Sequence, residues 1–123
     1  MKRNFIGYGK EKPKLFWPDG NKLAISIVVN IEEGAELSVS SGDSENEHIY
    51  ENNKTKISIN ITDLCMESHY EYGLRSGIWR IFNLFDEYKI KATFSCCSRA
   101  LERSPWLINE ILNRKHEISA HGV

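Results

Sequence analysis

The chain has 123 residues, enough for one small domain, and its 41% hydrophobic and 27% charged residues are the balance of a globular protein rather than a disordered one. Sixteen Lys and Arg against 17 Asp and Glu give a formal net charge of −1, without the basic excess that favours nucleic acid or an anionic membrane as a partner. The longest apolar run, 23–29, is far shorter than the roughly 20 residues that cross a bilayer, and no signal-peptide core follows the basic amino terminus. We therefore expect a cytoplasmic protein that binds neither nucleic acid nor membranes.

The first predicted elements are an extended leader and a buried strand. Two of the three prolines oppose regular structure in residues 1–21, and Phe16 and Trp17 are available to anchor this segment to a core. Residues 22–30 form a nearly continuous apolar and β-branched run. That pattern is typical of a parallel strand buried on both faces.

A long polar loop is predicted next. Residues 35–68 are rich in Ser, Asn and Glu, although Ile57–Ile61 alternates and is compatible with a short strand. A loop of this length inside a compact domain is more often functional than idle. A poorly ordered surface insertion is the alternative.

Helical and strand patterns alternate from Leu74 onward. The period becomes helical there, and one face collects Ile78, Ile81, Phe82, Phe85 and Tyr88. Strands are predicted at 89–96 and 116–120, and a second helix begins at Ser104-Pro105. The alternation predicts an α/β fold with a parallel sheet and right-handed crossovers. Three strands leave an uncovered edge, which favours an oligomer or association with a further chain.

Candidate site residues follow the first and third strands, where active sites collect in parallel α/β folds. Glu32 and Glu33 end the first strand, and His121 ends the third. Carboxylates beside a histidine provide a base together with a metal ligand or orienting group. A solvated acidic turn is the alternative for the glutamates, and His116 is predicted to be structural.

Two further observations bear on the histidines. His48 and His69, in or beside the polar loop, are weaker candidates for a catalytic group. A zinc site for hydrolysis usually takes three protein ligands and a water, and this chain offers at most Glu33 and His121. The sequence as it stands therefore does not complete such a site.

Several blocks of sequence resemble one family in the family's own order. They include Glu32-Glu33-Gly34, Tyr70-Glu71-Tyr72-Gly73 and His116–Gly122, and they extend over 17–20, 25–36, 67–80, 82–86, 99–105 and 116–122. The chain resembles the polysaccharide deacetylases with a NodB-type homology domain (carbohydrate esterase 4-like). It is most similar to the branch that contains the metal-independent allantoinases and related cyclic-amide hydrolases.

The resemblance implies a partial (β/α) barrel, with about the first three strand–helix units forming an incomplete deacetylase domain over 22–123. It implies that Glu32 is the general base, that His121 is catalytic, and that Glu33 and His121 position the substrate or hold a divalent metal such as zinc. The glutamate pair favours a metal-independent enzyme. Arg75 is a candidate to bind anionic substrate groups or a neighbouring subunit, and a surface charge is its alternative.

Amide hydrolysis is the activity that the resemblance implies, on a cyclic amide such as allantoin or on an N-acetylated sugar. Two other interpretations stay open. The second is a chain without activity of its own, either a catalytically inert truncated fragment or half of a split enzyme that needs a second chain. The third and weaker interpretation is a zinc-dependent polysaccharide deacetylase.

Overall fold

Strands and helices alternate as the sequence predicts. The structure, a computed structural model, describes residues 2–47 and 60–122. Within these ranges the elements run in the order β1 (Val28–Ile31), α1 (Leu64–Tyr72), α2 (Ile78–Tyr88), β2 (Thr93–Cys97), α3 (Ser98–Arg103), α4 (Trp106–Asn113) and β3 (Glu117–Gly122). A π-helical turn, Gly73–Gly77, joins α1 to α2. None of the helices in the described ranges has the length and apolar character needed to cross a membrane.

The three strands form a parallel sheet in the order β1-β2-β3, which confirms the predicted α/β class. Asn30, Ser95 and Ser119 are aligned across it. Because successive side chains alternate between faces, these three residues form a polar row on one face. The other face carries buried apolar residues such as Ile31 and Phe94.

The apolar face of the sheet packs against helices. Phe82, Phe94, Leu107 and Ile111 are the largest fully buried side chains, and they come from α2, β2 and α4. The predicted apolar face of α2 is confirmed for its three buried members, Ile78, Phe82 and Phe85. Tyr88 was predicted to share this face, but it is 64% exposed at the end of the helix.

The prediction of a first strand buried on both faces is wrong. β1 begins only at Val28, which is 55% exposed, and Ile25 before it is 78% exposed. The physical reason is that β1 is an edge strand in the sheet of the described residues. Within those residues, no element covers the face that carries the exposed side chains of Val28 and Asn30. The predicted anchoring of the leader by Phe16 and Trp17 is also wrong, because these side chains are 87% and 50% exposed and are not packed into the core.

The first helix begins at Leu64, well before the predicted start at Leu74. Asp63 caps it, with Oδ1 accepting hydrogen bonds from the backbone N–H groups of Cys65 and Met66 at 3.1 Å each. Met66 is the one buried residue of this helix, so its apolar periodicity is weak. The predicted start depended on apolar periodicity, which is why this helix was not predicted. Of the strand predicted at Ile57–Ile61, residues 57–59 lie outside the described ranges, and Asn60 and Ile61 form a turn and a bend.

His116 is a structural histidine, as predicted. It is 5% exposed, and its ring centroid lies 5.0 Å from that of Phe94 and 6.1 Å from that of Phe82. Its Nδ1 accepts a hydrogen bond from the Ala92 backbone N–H at 3.3 Å. Burial lowers the pKa of His116, because a charged imidazole would lose its hydration among these rings.

The lowered pKa of His116 predicts a loss of stability in mild acid. Lys91 and Arg114 lower this pKa further and Asp86 opposes them. Above the ordinary histidine pKa, about 6.5, the ring is neutral both folded and unfolded. As the pH falls below that value the unfolded chain binds the proton first, so the free energy of unfolding decreases towards the folded-state pKa.

Urea unfolding of the wild type and of His116→Asn between pH 8 and pH 5 measures this contribution. The asparagine oxygen can accept the Ala92 N–H but does not titrate, so the variant should show a shallower loss of stability below pH 6.5. Equal slopes for the two proteins would contradict the prediction, whatever the difference in their absolute stability.

Candidate functional site

The site is built around a contact between the ends of β1 and β3. Glu32 directly follows β1, and its Oε1 lies 3.1 Å from Nε2 of His121, near the end of β3. Nδ1 of the same ring lies 3.0 Å from Oγ of Ser95, on the intervening strand β2. The side chains of Glu32 and His121 are 58% and 37% exposed, so both can reach water.

A β-bulge sets the position of His121. Ala120 pairs with Cys96 and Gly122 with Cys97, so His121 is the extra residue between two consecutive pairs. Bulges of this kind redirect a side chain and are common beside active sites. The sequence contains no signal for this irregularity.

A tight turn holds Glu32 at the end of β1. The Ala35 backbone N–H donates to the Glu32 carbonyl oxygen at 2.8 Å. Gly34 takes a φ of +96° inside the turn, a conformation that favours glycine, and its N–H donates to Oε2 of Glu36 at 2.6 Å. The turn fixes the backbone while the side chain of Glu32 stays accessible.

Glu33 points to a different partner, the π-helical turn. Its carboxylate lies against the backbone of the turn at Gly73, close enough for the N–H groups of Gly73 and Leu74 to act on its pKa. It occupies the space that a Cβ on residue 73 would fill, so the absence of a side chain at Gly73 permits the contact. Burial raises the pKa of Glu33, nearby Glu36 raises it further, and the two N–H groups act in the opposite direction.

An open cleft of about 560 Å³ connects these groups. It is lined by Glu32, Glu33, Ala35, Glu36, Glu47, Tyr70, Cys97 and His121. Tyr70 was not predicted as a site residue. Its Oη is buried and has no hydrogen-bond partner among the described residues, and burial raises its pKa, with Glu47 and Glu36 adding to the effect.

The structure brings Glu32, Glu33 and His121 to one cleft and places Arg75 outside it. Arg75 lies on the π-helical turn with its side chain 76% exposed, and its Nε is 3.2 Å from Oε2 of Glu71. It lines a neighbouring groove of about 230 Å³ that shares Glu33 with the cleft. His48 lies outside the described residues.

Sequence reasoning missed Ser95, Tyr70 and Cys97. For Ser95 and Cys97 a signal existed, because the alternation along β2 puts both on the face that carries His121 in the next strand. Tyr70 lies on α1, and its position at the cleft could not be predicted because the weak apolar pattern did not reveal that helix.

The donor set does not fit a divalent cation as arranged. The carboxylate of Glu33 is packed against the π-helical turn, and each ring nitrogen of His121 already has a polar partner, Glu32 at 3.1 Å from Nε2 and Ser95 at 3.0 Å from Nδ1. In residues 2–47 and 60–122, no group of three or more His, Cys, Asp or Glu side chains is placed to hold a metal ion. We therefore derive no chemical step through a metal.

Comparison with known proteins shows what this chain is similar to. Residues 60–123 match the family model of the polysaccharide deacetylases. A protein of Schizosaccharomyces pombe named "Putative polysaccharide deacetylase" is 34% identical in an alignment of 112 residues that covers 86% of this chain and 34% of that protein.

Two solved structures share the fold. "Puue Allantoinase" is 36% identical with a TM-score of 0.79, over 98% of this chain and 40% of its own. A "probable Polysaccharide deacetylase" from Pseudomonas aeruginosa PAO1 is 35% identical with a TM-score of 0.79, over 98% of this chain and 41% of its own. The chain thus spans about a third to two fifths of the length of these relatives, and its three-stranded unit corresponds to part of their fold. By the family match over half its length, this chain belongs to the polysaccharide deacetylase family.

Proposed function

We propose that this chain is the amino-terminal portion of a hydrolase that cleaves a non-peptide carbon–nitrogen bond. A cyclic amide such as allantoin is the substrate that we favour, and the N-acetyl group of a sugar is the other candidate. The observation that carries the proposal is the 3.1 Å contact between Glu32 and His121. It lies at the carboxyl ends of the parallel strands, where the active sites of parallel α/β enzymes collect. The similarity to an allantoinase and to polysaccharide deacetylases supports the class of reaction.

In this proposal Glu32 is the general base. One carboxylate oxygen, Oε1, faces His121, which leaves Oε2 available to a water molecule in the open cleft. The water gives its proton to Glu32 as its oxygen attacks the amide carbonyl carbon, which forms a tetrahedral intermediate. The intermediate then breaks its carbon–nitrogen bond, and the proton held by Glu32 passes to the departing nitrogen, which restores the carboxylate. His121 holds the carboxylate in place through Nε2 and lies where it can also contact the substrate.

Glu33 and Arg75 are proposed to bind the substrate rather than to react with it. The carboxylate of Glu33 is fixed against the π-helical turn at the wall shared by the cleft and the groove. Arg75, on the groove side, is placed to attract anionic groups of a substrate or a neighbouring subunit. A surface ion pair with Glu71 is the alternative for Arg75.

The contacts of Glu33 and His121 support a reaction without a metal, and a site that uses a divalent cation such as zinc is the alternative.

The second candidate function is a chain that is inert by itself, either as a truncated fragment or as half of a split enzyme. The edges of the sheet favour this candidate, because within the described ranges both β1 and β3 pair with β2 alone. Unpaired parallel edges of this kind invite further strands, or an oligomer.

The first experiment isolates the native protein from its source cell with every chain that co-purifies. Intact mass, bound metal and hydrolysis of allantoin and of N-acetylated sugars are measured on the same sample. We expect a mass above 14.2 kDa or a partner chain, hydrolysis of the cyclic amide, and activity that survives a chelator.

The other outcomes separate the alternatives. A 14.2 kDa chain with no partner and no turnover would establish the inert fragment. Stoichiometric zinc, with activity lost on chelation and restored by zinc, would establish the metal-dependent deacetylase.

A further inference from the structure

Ser95 is the third member of a chain of polar contacts that crosses the sheet, from Glu32 through His121 to Ser95. It lies on β2, between the strand that ends at Glu32 and the strand that carries His121. Its Oγ lies 3.0 Å from Nδ1 of His121, whose Nε2 lies 3.1 Å from Glu32. The imidazole is therefore held at both nitrogens by groups from two different neighbours.

The chemistry of these three groups fixes where the proton sits. An ionised carboxylate has no proton to share and repels a nitrogen lone pair, so the Glu32 oxygen 3.1 Å from Nε2 of His121 favours the tautomer with the proton on Nε2. In a neutral ring Nδ1 is then unprotonated and accepts from the hydroxyl of Ser95. When the ring takes a second proton, Nδ1 donates and the hydroxyl oxygen accepts instead, because a hydroxyl can play both parts.

We propose that Ser95 is a positioning residue that keeps His121 in the Nε2-protonated tautomer and in the orientation that faces Glu32. The bulge at His121 makes such support necessary, because the extra residue has no partner of its own in the pairing with β2. A carboxylate alone would fix one nitrogen and leave the ring free to pivot about that contact. The hydroxyl of Ser95 supplies the second fixed point in both charge states of the ring.

The backbone around Ser95 argues against a role as a nucleophile. Ser95 is in the middle of β2, aligned with Asn30 on one side and Ser119 on the other, so its neighbouring peptide groups are engaged in the sheet. A serine nucleophile needs nearby N–H donors for the oxyanion that its attack creates. A strand interior of this kind does not offer them to the Oγ.

The proposal rests on the proposed function for its catalytic consequence only. The hydrogen bond and the tautomer can be measured on the full chain without turnover. The test is ¹⁵N NMR of the histidine side chains in the wild type, Ser95→Ala and Ser95→Thr, with His121→Asn to assign the resonances. Ser119→Ala, in the same polar row, is the control for the loss of a strand hydroxyl.

We expect the neutral His121 of the wild type to be protonated at Nε2, with Nδ1 shifted upfield by a hydrogen bond. Ser95→Ala should move the Nδ1 resonance downfield, towards that of a nitrogen without a donor. Ser95→Thr should restore the wild-type value, because threonine keeps the hydroxyl, and Ser119→Ala should leave it unchanged.

A wild-type ring protonated at Nδ1, or an Nδ1 resonance that Ser95→Ala leaves in place, would overturn the proposal. Unchanged amide spectra outside β2 and β3 show that each variant is folded, and Ser95→Thr provides the test if Ser95→Ala is not. In an assembly that hydrolyses amides, Ser95→Ala should lower kcat and Ser95→Thr should not. The expected resonances without any turnover would leave Ser95 in its role and reject the proposed function instead.

Discussion

Replacement of Glu32 by glutamine is expected to lower amide hydrolysis by a factor of about 10²–10⁴, the usual contribution of a general base. Glutamine has the shape of glutamate, and its amide oxygen can face Nε2 of His121 as Oε1 of Glu32 does, so the cleft should keep its shape. It cannot take a proton from water, so the reaction should slow. The measurement is kcat on the active assembly, with folding followed by circular dichroism.

Glu47→Gln is the matched control for Glu32→Gln. Glu47 lines the same cleft, and its replacement by glutamine removes the same charge. Its Oε2 accepts a hydrogen bond from the backbone N–H of Leu37 at 3.2 Å, and the amide oxygen of glutamine can keep that contact. Its kcat should stay near that of the wild type. Turnover by Glu32→Gln equal to that of the control would reject Glu32 as the base.

Gly73→Ala is expected to destabilise the chain by about 1–2 kcal/mol, although alanine normally stabilises a helix relative to glycine by about 1 kcal/mol. The backbone of Gly73 is already helical, with a φ of −62°, so the conformation allows alanine. The new methyl group would overlap the carboxylate of Glu33 and force it out of its place against the turn. The loss of that packing, and of the favourable influence of the Gly73 and Leu74 N–H groups on the carboxylate, outweighs the gain in helix propensity.

The sign of this effect should reverse when Glu33 is removed first. In a Glu33→Ala background the space is empty, so Gly73→Ala should raise the free energy of unfolding by up to about 1 kcal/mol. Gly77→Ala, at the other end of the π-helical turn, is the control, since its Cβ would meet the ring of Tyr72 at an ordinary 3.5 Å. Urea unfolding of the wild type, the two single variants, the double variant and the Gly77→Ala control measures these free energies of unfolding. Additive effects of the Glu33 and Gly73 substitutions would show that the carboxylate does not occupy this position.

The two glutamates at the end of β1 illustrate what a local pattern can and cannot determine. Their position after a predicted parallel strand predicted that they would stand at the carboxyl ends of the strands, and the structure has both there, lining one cleft. The pattern did not distinguish their tasks. Glu32 meets His121 and Glu33 meets the π-helical turn, and those partners are distant in the sequence.

The elements that the sequence predicted well are those whose signal is local. The alternation of β-branched and helical segments determined the parallel α/β sheet, the apolar face of α2 supplied three buried core residues, and His116 was recognised as structural. Family resemblance rests on short blocks of residues that are likewise read along the chain. Each of these features depends on residues a few positions apart, where backbone geometry alone sets the spacing.

Tertiary structure decided the features that depend on register and on missing neighbours. The bulge at His121 and the alignment of β2 with β3 bring Ser95 to the imidazole, and no periodicity in either strand fixes that alignment. The exposure of Val28 follows from its place at the edge of the sheet rather than from its apolar side chain. Burial and pairing are properties of what lies across the sheet, so the sequence of one strand determines its own conformation but not its partners.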